Sequence, residues 1–221
     1  MAQDADTDGY DSDAVRVLYD GMTAEYAVRF GSELADADPA DPDLEFLAVA
    51  ADSFPDGPVL DVGCGPAQVS RYLIGRGRTM IGIDFSAGML AAAARLVPPA
   101  TLIAADLLAL PIRAASCAAA VASYSLHHLP KARLATAFDG LRAALKPGGV
   151  LVVITHGGSG EEWLDPPAGR HSGQFVLSLY EPGELAERLR SAGFTPVLTQ
   201  IRPPRPGEYP ADKIRISARR S

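Results

Sequence analysis

One nine-residue stretch constrains this 221-residue chain more than any other: Val59-Leu60-Asp61-Val62-Gly63-Cys64-Gly65-Pro66-Ala67. Val59–Val62 reads as a short buried strand, Gly63-Cys64-Gly65 as a tight turn, and Pro66 to Ile74 as the start of a helix. A strand that turns straight into a helix on small residues sets bare backbone N–H groups and a positive helix end against a ligand. About twenty residues on, a second strand, Thr79–Ile83, ends in Asp84. A carboxylate at that spacing suits the two hydroxyls of a ribose. The pattern describes a nucleoside-cofactor site and leaves open which nucleoside.

The rest of the chain alternates strand and helix. Two N-terminal helices, Val15 to Leu34 and Asp43 to Ser53, are expected on either side of the Pro/Asp stretch Asp36 to Pro42. After the second strand come a helix over Ala87–Leu96 with Ser86 as its N-cap, a strand at Thr101–Ala104 and a strand at Ala118–Ala122. A helix over Lys131–Leu145 and a strand at Val150–Thr155 follow, divided by the stop signal Lys146-Pro147-Gly148-Gly149. Strands separated by helices of this length pair in parallel with helices on both faces. Beyond His156 the pattern breaks into a Gly- and Pro-rich segment, then a helix at Pro182–Ser191 and strands near Pro196–Ile201 and Lys213–Ala218.

Two details tell against a dinucleotide site. The third small residue of the turn is Ala67, only two positions after Gly65, and Asp61 stands directly before the turn. "VLDVGCGPA" resembles motif I of the class I S-adenosylmethionine-dependent methyltransferases, small-molecule type. "IGIDFSAGML" (81–90), "AADLLALPI" (104–112), "VASYSLHHLP" (121–130) and "LKPGGVLVVI" (145–154) match in order. The departure is Ala67, where many members carry glycine. The resemblance implies an α/β fold: a Rossmann-like, doubly wound, mostly parallel seven-stranded sheet with an antiparallel last strand and helices on both faces. It also implies S-adenosyl-L-methionine as cofactor and S-adenosyl-L-homocysteine as product.

Site residues carry over with it. Gly63 and Gly65 should lie under the methionine moiety, and Asp61 should hold the loop and help fix the ammonium group. Asp84 should take the ribose hydroxyls, with Phe85 and Met89 flanking the adenine. Asp106 and Leu107 should receive the adenine amino group and grip the ring. Ser123 and Tyr124 fall beside the reacting methyl, and His128 supports the loop under the cofactor. Tyr19 and Tyr26, in "LYDGMTAEYAVRF", match a helix that lids the cofactor; with Phe30 they also form an ordinary amphipathic stripe. His127 and His156 are the candidate catalytic groups, with His171, Glu161 and Glu162 as further bases for an acceptor that must lose a proton.

Bulk properties narrow the partners. The net charge of −7 includes five aspartates in the first thirteen residues, leaving −2 for the body and no electrostatic reason to expect nucleic acid. No basic-plus-apolar leader or membrane-length apolar run appears, so a cytoplasmic protein is expected. Cys64 and Cys117 read as small core residues, and no metal-ligand spacing is present. The expected organisation is a disordered acidic tail over 1–13 and one domain over 14–221. Its N-terminal lid helices span 14–54, and an acceptor-side insertion containing Trp163 spans 157–180. The expected function is methyl transfer to a small-molecule O, N or C nucleophile, by a monomer or homodimer. The alternatives are a non-catalytic cofactor sensor or scaffold, or a protein methyltransferase.

Overall fold

In the computed structural model, residues 10–30, 42–165 and 174–221 are described. The sheet is built from strands β1 (Val59–Val62), β2 (Met80–Asp84), β3 (Thr101–Ala104), β4 (Cys117–Ser123), β5 (Leu145–His156), β8 (Phe194–Arg202) and β9 (Lys213–Arg220). Their order is β3-β2-β1-β4-β5-β9-β8. Pairing is parallel from β3 through β5, while β9 runs antiparallel to both β5 and β8. The expected seven-stranded, mostly parallel sheet with an antiparallel last strand is therefore present. Reversal of strand order beside β1 and β4 opens a crevice at their C-terminal ends, where ligands bind in folds of this kind.

Strands β1 and β4 are buried along nearly their whole length, and both faces of the sheet are covered. One apolar layer joins Leu60, Val62, Ala120 and Leu151 to Phe138, Leu141 and Leu185 of the flanking helices and to Phe194 at the start of β8. The other joins Val59, Val121 and Val152 to Phe46, Leu47, Val69 and Leu73. This two-sided burial explains why β4, Cys117–Ser123, is almost all small apolar residues rather than alternating.

The helices are α1 (Ser12–Phe30), α2 (Pro42–Asp52), α3 (Gln68–Gly75), α4 (Ala87–Leu96), α5 (Leu134–Ala144) and α6 (Pro182–Ser191). Helix α1 starts at Ser12, inside the stretch expected as a disordered tail; residues 1–9 and 31–41 lie outside the described residues. Ser86 caps α4 as expected, its hydroxyl accepting from the Met89 N–H at 3.0 Å. Lys131–Arg133, expected as the first turn of α5, is instead a 3₁₀ turn. Strand β5 begins at Leu145 and is interrupted by a register shift, with Gly148 at φ +73°, where a stop and turn were expected.

Two short strands in the 157–180 segment went unanticipated. Strands β6 (Glu161–Leu164) and β7 (Phe175–Ser178) pair antiparallel in a separate sheet. Ser178 Oγ donates to the Leu129 carbonyl at 2.7 Å, fixing β7 under the 126–128 turn. Residues 166–173, including His171, lie outside the described residues.

Asp61 ties β1 to α3. Its buried Oδ2 accepts from the Ser70 N–H at 3.0 Å and the Ser70 hydroxyl at 2.7 Å. Burial pushes the carboxyl up to about 6, against the lowering effect of the two Ser70 hydrogen bonds. The folded chain thus holds this proton more tightly than the unfolded one. The contribution to stability is full in acid and declines as pH rises from about 4 to about 6. Asp61→Asn is expected to remove that decline, worth up to about 3 kcal/mol at roughly 1.4 kcal/mol per pH unit. Urea melts at pH 4, 5 and 7 check it; a slope equal to the parent's would refute it.

Candidate active site

A cavity of about 910 Å³ lies at the C-terminal ends of β1, β2 and β4, running from the glycine turn to the loop between β8 and β9. That places it among the larger small-ligand pockets, which span roughly 300–1,000 Å³. Of the residues expected at the site, Tyr19, Tyr26, Gly63, Gly65, Asp84, Phe85, Asp106, Leu107, Ser123, Tyr124, His127, His128 and His156 all line it. Asp61 and Met89 do not. Asp61 is drawn away into its bonds with Ser70, and Met89 is packed beneath α4 at 1 % exposure.

The turn itself differs from expectation in one respect. Its N–H groups are not bare: Gly63 and Cys64 donate to the Ile83 carbonyl at 2.8 and 2.9 Å, and Gly65 donates to Asp84 Oδ2 at 2.8 Å. The turn is lashed to the end of β2, so it offers a ligand clearance rather than donors. A Cβ at Gly65 (φ +52°) would meet only Tyr26 Cε1 at 3.8 Å and Gln68 Oε1 at 3.9 Å, projecting into the cavity. Ala67 adopts φ +66°, the region glycine favours, which gives a physical reason for glycine there in the family motif. The strain of about 1–2 kcal/mol is partly offset by its buried methyl against Ala93 and Val97, about 0.8 kcal/mol.

Asp84 is 7 % exposed, and its Oδ1 accepts from the Ser86 N–H at 2.9 Å. A carboxylate offers about four acceptor positions, so roughly half remain for a ligand. Burial raises its pKa, against the Ser86 and Gly65 hydrogen bonds. Asp106 caps the 107–109 turn through Leu108 N–H at 2.8 Å and still faces the cavity. Buried Gln68 Oε1 and Ser125 Oγ line the same end with no protein hydrogen-bond partner. Glycine clearance, a part-satisfied carboxylate and orphaned buried oxygens fit an adenosyl group bearing a cationic amino-acid tail.

Helix α1 roofs this end. Asp20, which the sequence reading passed over, accepts from the Ser86 hydroxyl and from the Gly88 N–H at 3.0 Å, pinning α1 to the start of α4. Its only sequence signal was its place beside Tyr19. Asp20→Ala is expected to cost about 1 kcal/mol of stability and to weaken nucleoside binding about tenfold by freeing Tyr19 and Tyr26. Thermal melts and calorimetry check this; lost stability with unchanged affinity would reduce Asp20 to a helix cap.

Past the turn, rings gather. The His128 Nδ1–H donates to the Val176 carbonyl at 3.2 Å, which makes its Nε2 an acceptor for the Tyr19 hydroxyl at 2.7 Å. Burial raises the Tyr19 pKa well above the ordinary tyrosine value, so the hydroxyl keeps its proton. His127 Nε2 sits 3.0 Å from the same His128 nitrogen, whose single lone pair the Tyr19 hydroxyl already takes, and buried His127 Nδ1 has no protein hydrogen-bond partner. Burial, then the neighbouring histidines and Lys213, pushes His127 well below its ordinary pKa; burial and Lys213 bring His156 down to about 4. Both imidazoles are neutral at pH 7. Tyr124, at φ +51°, is held in a strained conformation at the end of β4, with its ring 5.1 Å from that of His156.

The far end of the cavity was not foreseen. Arg202 hydrogen-bonds both Asp43 and Glu208, and Arg215 reaches Asp43 at 2.9 Å. Lys213, 2 % exposed, donates to the carbonyls of Tyr209 and Ala211, each at 2.8 Å. Asp43 and Arg215 are 172 positions apart in the chain, a pairing no local pattern reveals. Glu161 and Glu162, expected as bases, instead accept from the Lys131 N–H and the Tyr209 hydroxyl, and neither lines the cavity; nor does Trp163. Behind the histidines, a second hollow of about 580 Å³ is lined by Leu18, Met22, Leu164, Phe175 and Leu177.

Comparison with known proteins agrees with this geometry. A methyltransferase domain model matches residues 59–149. The chain is 33 % identical, over 70 % of its length and 72 % of the relative's, to an uncharacterised methyltransferase of Synechocystis sp.. It is 35 % identical, over 44 % of its length and 38 % of the relative's, to the malonyl-[acyl-carrier protein] O-methyltransferase of Enterobacter lignolyticus. Among solved structures, the 1,6-didemethyltoxoflavin-N1-methyltransferase of Burkholderia thailandensis, bound to its namesake compound and S-adenosylhomocysteine, superposes with a TM-score of 0.67. That match covers 95 % of this chain and 89 % of that one at 22 % identity, and shows the shared fold.

Proposed function

The chain belongs to the class I S-adenosylmethionine-dependent methyltransferases, and on that premise we propose that it methylates a small-molecule acceptor. One observation carries the reading: a single cavity joins the Gly63–Gly65 and Asp84 cradle to a second group of polar side chains around His127, His156 and Lys213. A cofactor sensor would have no need of that second half. Residues of α1 and of the 205–209 loop both line the cavity, a cover that suits a small acceptor better than a polymer.

When bound, S-adenosylmethionine supplies an electrophilic methyl group whose departure leaves a neutral thioether. The chain's own work is placement and exclusion of water, which in general can supply about 7–11 kcal/mol of the barrier. Asp84 would hold the ribose hydroxyls, Asp106 the adenine edge, and Gln68 and Ser125 the amino-acid tail. Tyr19 and Tyr26 would close the roof. His127 Nδ1, buried without a protein partner, would hydrogen-bond the acceptor and aim its nucleophilic atom.

Calorimetry with S-adenosylmethionine and S-adenosylhomocysteine, followed by an acceptor panel scored for S-adenosylhomocysteine release, tests this. Tight binding with no turnover on any acceptor would favour the sensor; no binding would defeat both readings. With neutral, buried imidazoles, the rate of transfer is expected to show no inflection between pH 6 and 7. A step near 6.5 would mean that a histidine of ordinary pKa takes part.

A further inference from the structure

Resting on that reading, we infer that the acceptor carries an anionic oxyacid group, a carboxylate or phosphoryl, which binds beside Lys213 at the far end of the cavity. Buried Arg202 and Lys213 line that end together with exposed Arg205, and buried Arg215 stands behind Asp43; the carboxylates facing them are Asp43 and Glu208, with exposed Asp212 next to Lys213 outside the cavity lining. Asp43 and Glu208 are already claimed: Arg202 bonds each of them, and Arg215 shares Asp43. The Lys213 ammonium is left with two neutral carbonyls, and its nearest carboxylate oxygen, on Glu208, is 3.9 Å away.

An ammonium has three protons to donate. Two are spent on Tyr209 and Ala211, and the residue lines the cavity. A buried charge without a hydrogen-bonded counter-ion is costly, and the cost is recovered when a ligand supplies the missing charge. The excess is local, since the whole chain has a net charge of −7. The neighbouring imidazoles are neutral and do not offset it, and a bound sulfonium adds positive charge to the same enclosure. A cationic acceptor would be repelled there, and a neutral one would leave Lys213 uncompensated. An anion answers both.

The experiment uses the full chain saturated with S-adenosylhomocysteine, titrated calorimetrically with benzoate, inorganic phosphate, benzamide and benzylamine. Benzoate or phosphate should bind at least tenfold tighter than benzamide, and benzylamine should not bind; whichever anion is preferred separates a carboxylate from a phosphoryl acceptor. Lys213→Met should abolish the preference. Glu208→Gln removes a competing anion while Asp43 still holds Arg202, and should tighten anion binding several-fold. Equal binding of benzoate, phosphate and benzamide would overturn the inference. So would a preference that survives Lys213→Met or, should that variant fail to fold, no tightening in Glu208→Gln. Failure of S-adenosylhomocysteine itself to bind would strike instead at the methyltransferase reading beneath it.

Discussion

Replacing Asp84 by alanine weakens S-adenosylhomocysteine binding by a factor of about ten to a hundred. Hydrogen bonds to an ionised group contribute roughly 1.5–3 kcal/mol each, and about 1.4 kcal/mol is tenfold in affinity. Asp84 is placed to deliver that much. Gly65 and Ser86 hold its two oxygens from the protein side, and the unused acceptor positions belong to a side chain that faces the cavity. Asp84→Ala also orphans the N–H groups of Gly65 and Ser86, so some thermal stability is lost with affinity. Asp84→Asn keeps one carbonyl oxygen for the backbone and separates the two effects. A dissociation constant within twofold of the parent's in Asp84→Ala would mean that the ribose lies elsewhere.

The largest loss of stability is expected from Gly63→Ala. Gly63 has φ +68°, and a Cβ built there would lie 2.4 Å from the Ser125 Cβ, far inside contact distance. The left-handed backbone costs an L-residue about 1–2 kcal/mol, and forcing a methyl into filled space typically about 1–3 more. The sum of about 2–5 kcal/mol is a large part of a typical domain's total of roughly 5–15. The double variant Gly63→Ala/Ser125→Gly should recover the steric part and leave the backbone part. Urea denaturation of the four proteins in that cycle measures both. Full stability in Gly63→Ala alone would show that the turn is not packed against Ser125.

Much of the cofactor half was legible because its determinants are local. Strand β1, the two glycines and Asp84 follow one another within a single strand–turn–helix–strand unit. Helices α4 and α6 begin and end where expected, since Ser86 and Pro182 punctuate them. The N–H groups of the turn were misjudged because their acceptors, Ile83 and Asp84, belong to the neighbouring strand, and composition does not say which loop groups a sheet will claim. Strand β6 was missed because Glu161-Glu162-Trp163-Leu164 has no buried face to impose a period of two, and β7, Phe175–Ser178, because a buried four-residue apolar run carries no period that tells strand from helix. The far end of the cavity was illegible for a different reason. Asp43, Arg202, Glu208 and Arg215 look like ordinary surface charges until the sheet gathers them into one buried network.

The placement of β9 between β5 and β8 sets an order of assembly. Residues 59–128, which carry the glycine turn, Asp84, Asp106, Tyr124 and the paired histidines, leave the ribosome well before Lys213, at roughly 5–20 residues per second. The sheet cannot join β8 to β5 until residues 213–220 arrive, because among the described residues β8 pairs only with β9. A nascent chain halted before that point would own a cofactor cradle but no far wall, with the β5 edge open to whatever strand it meets.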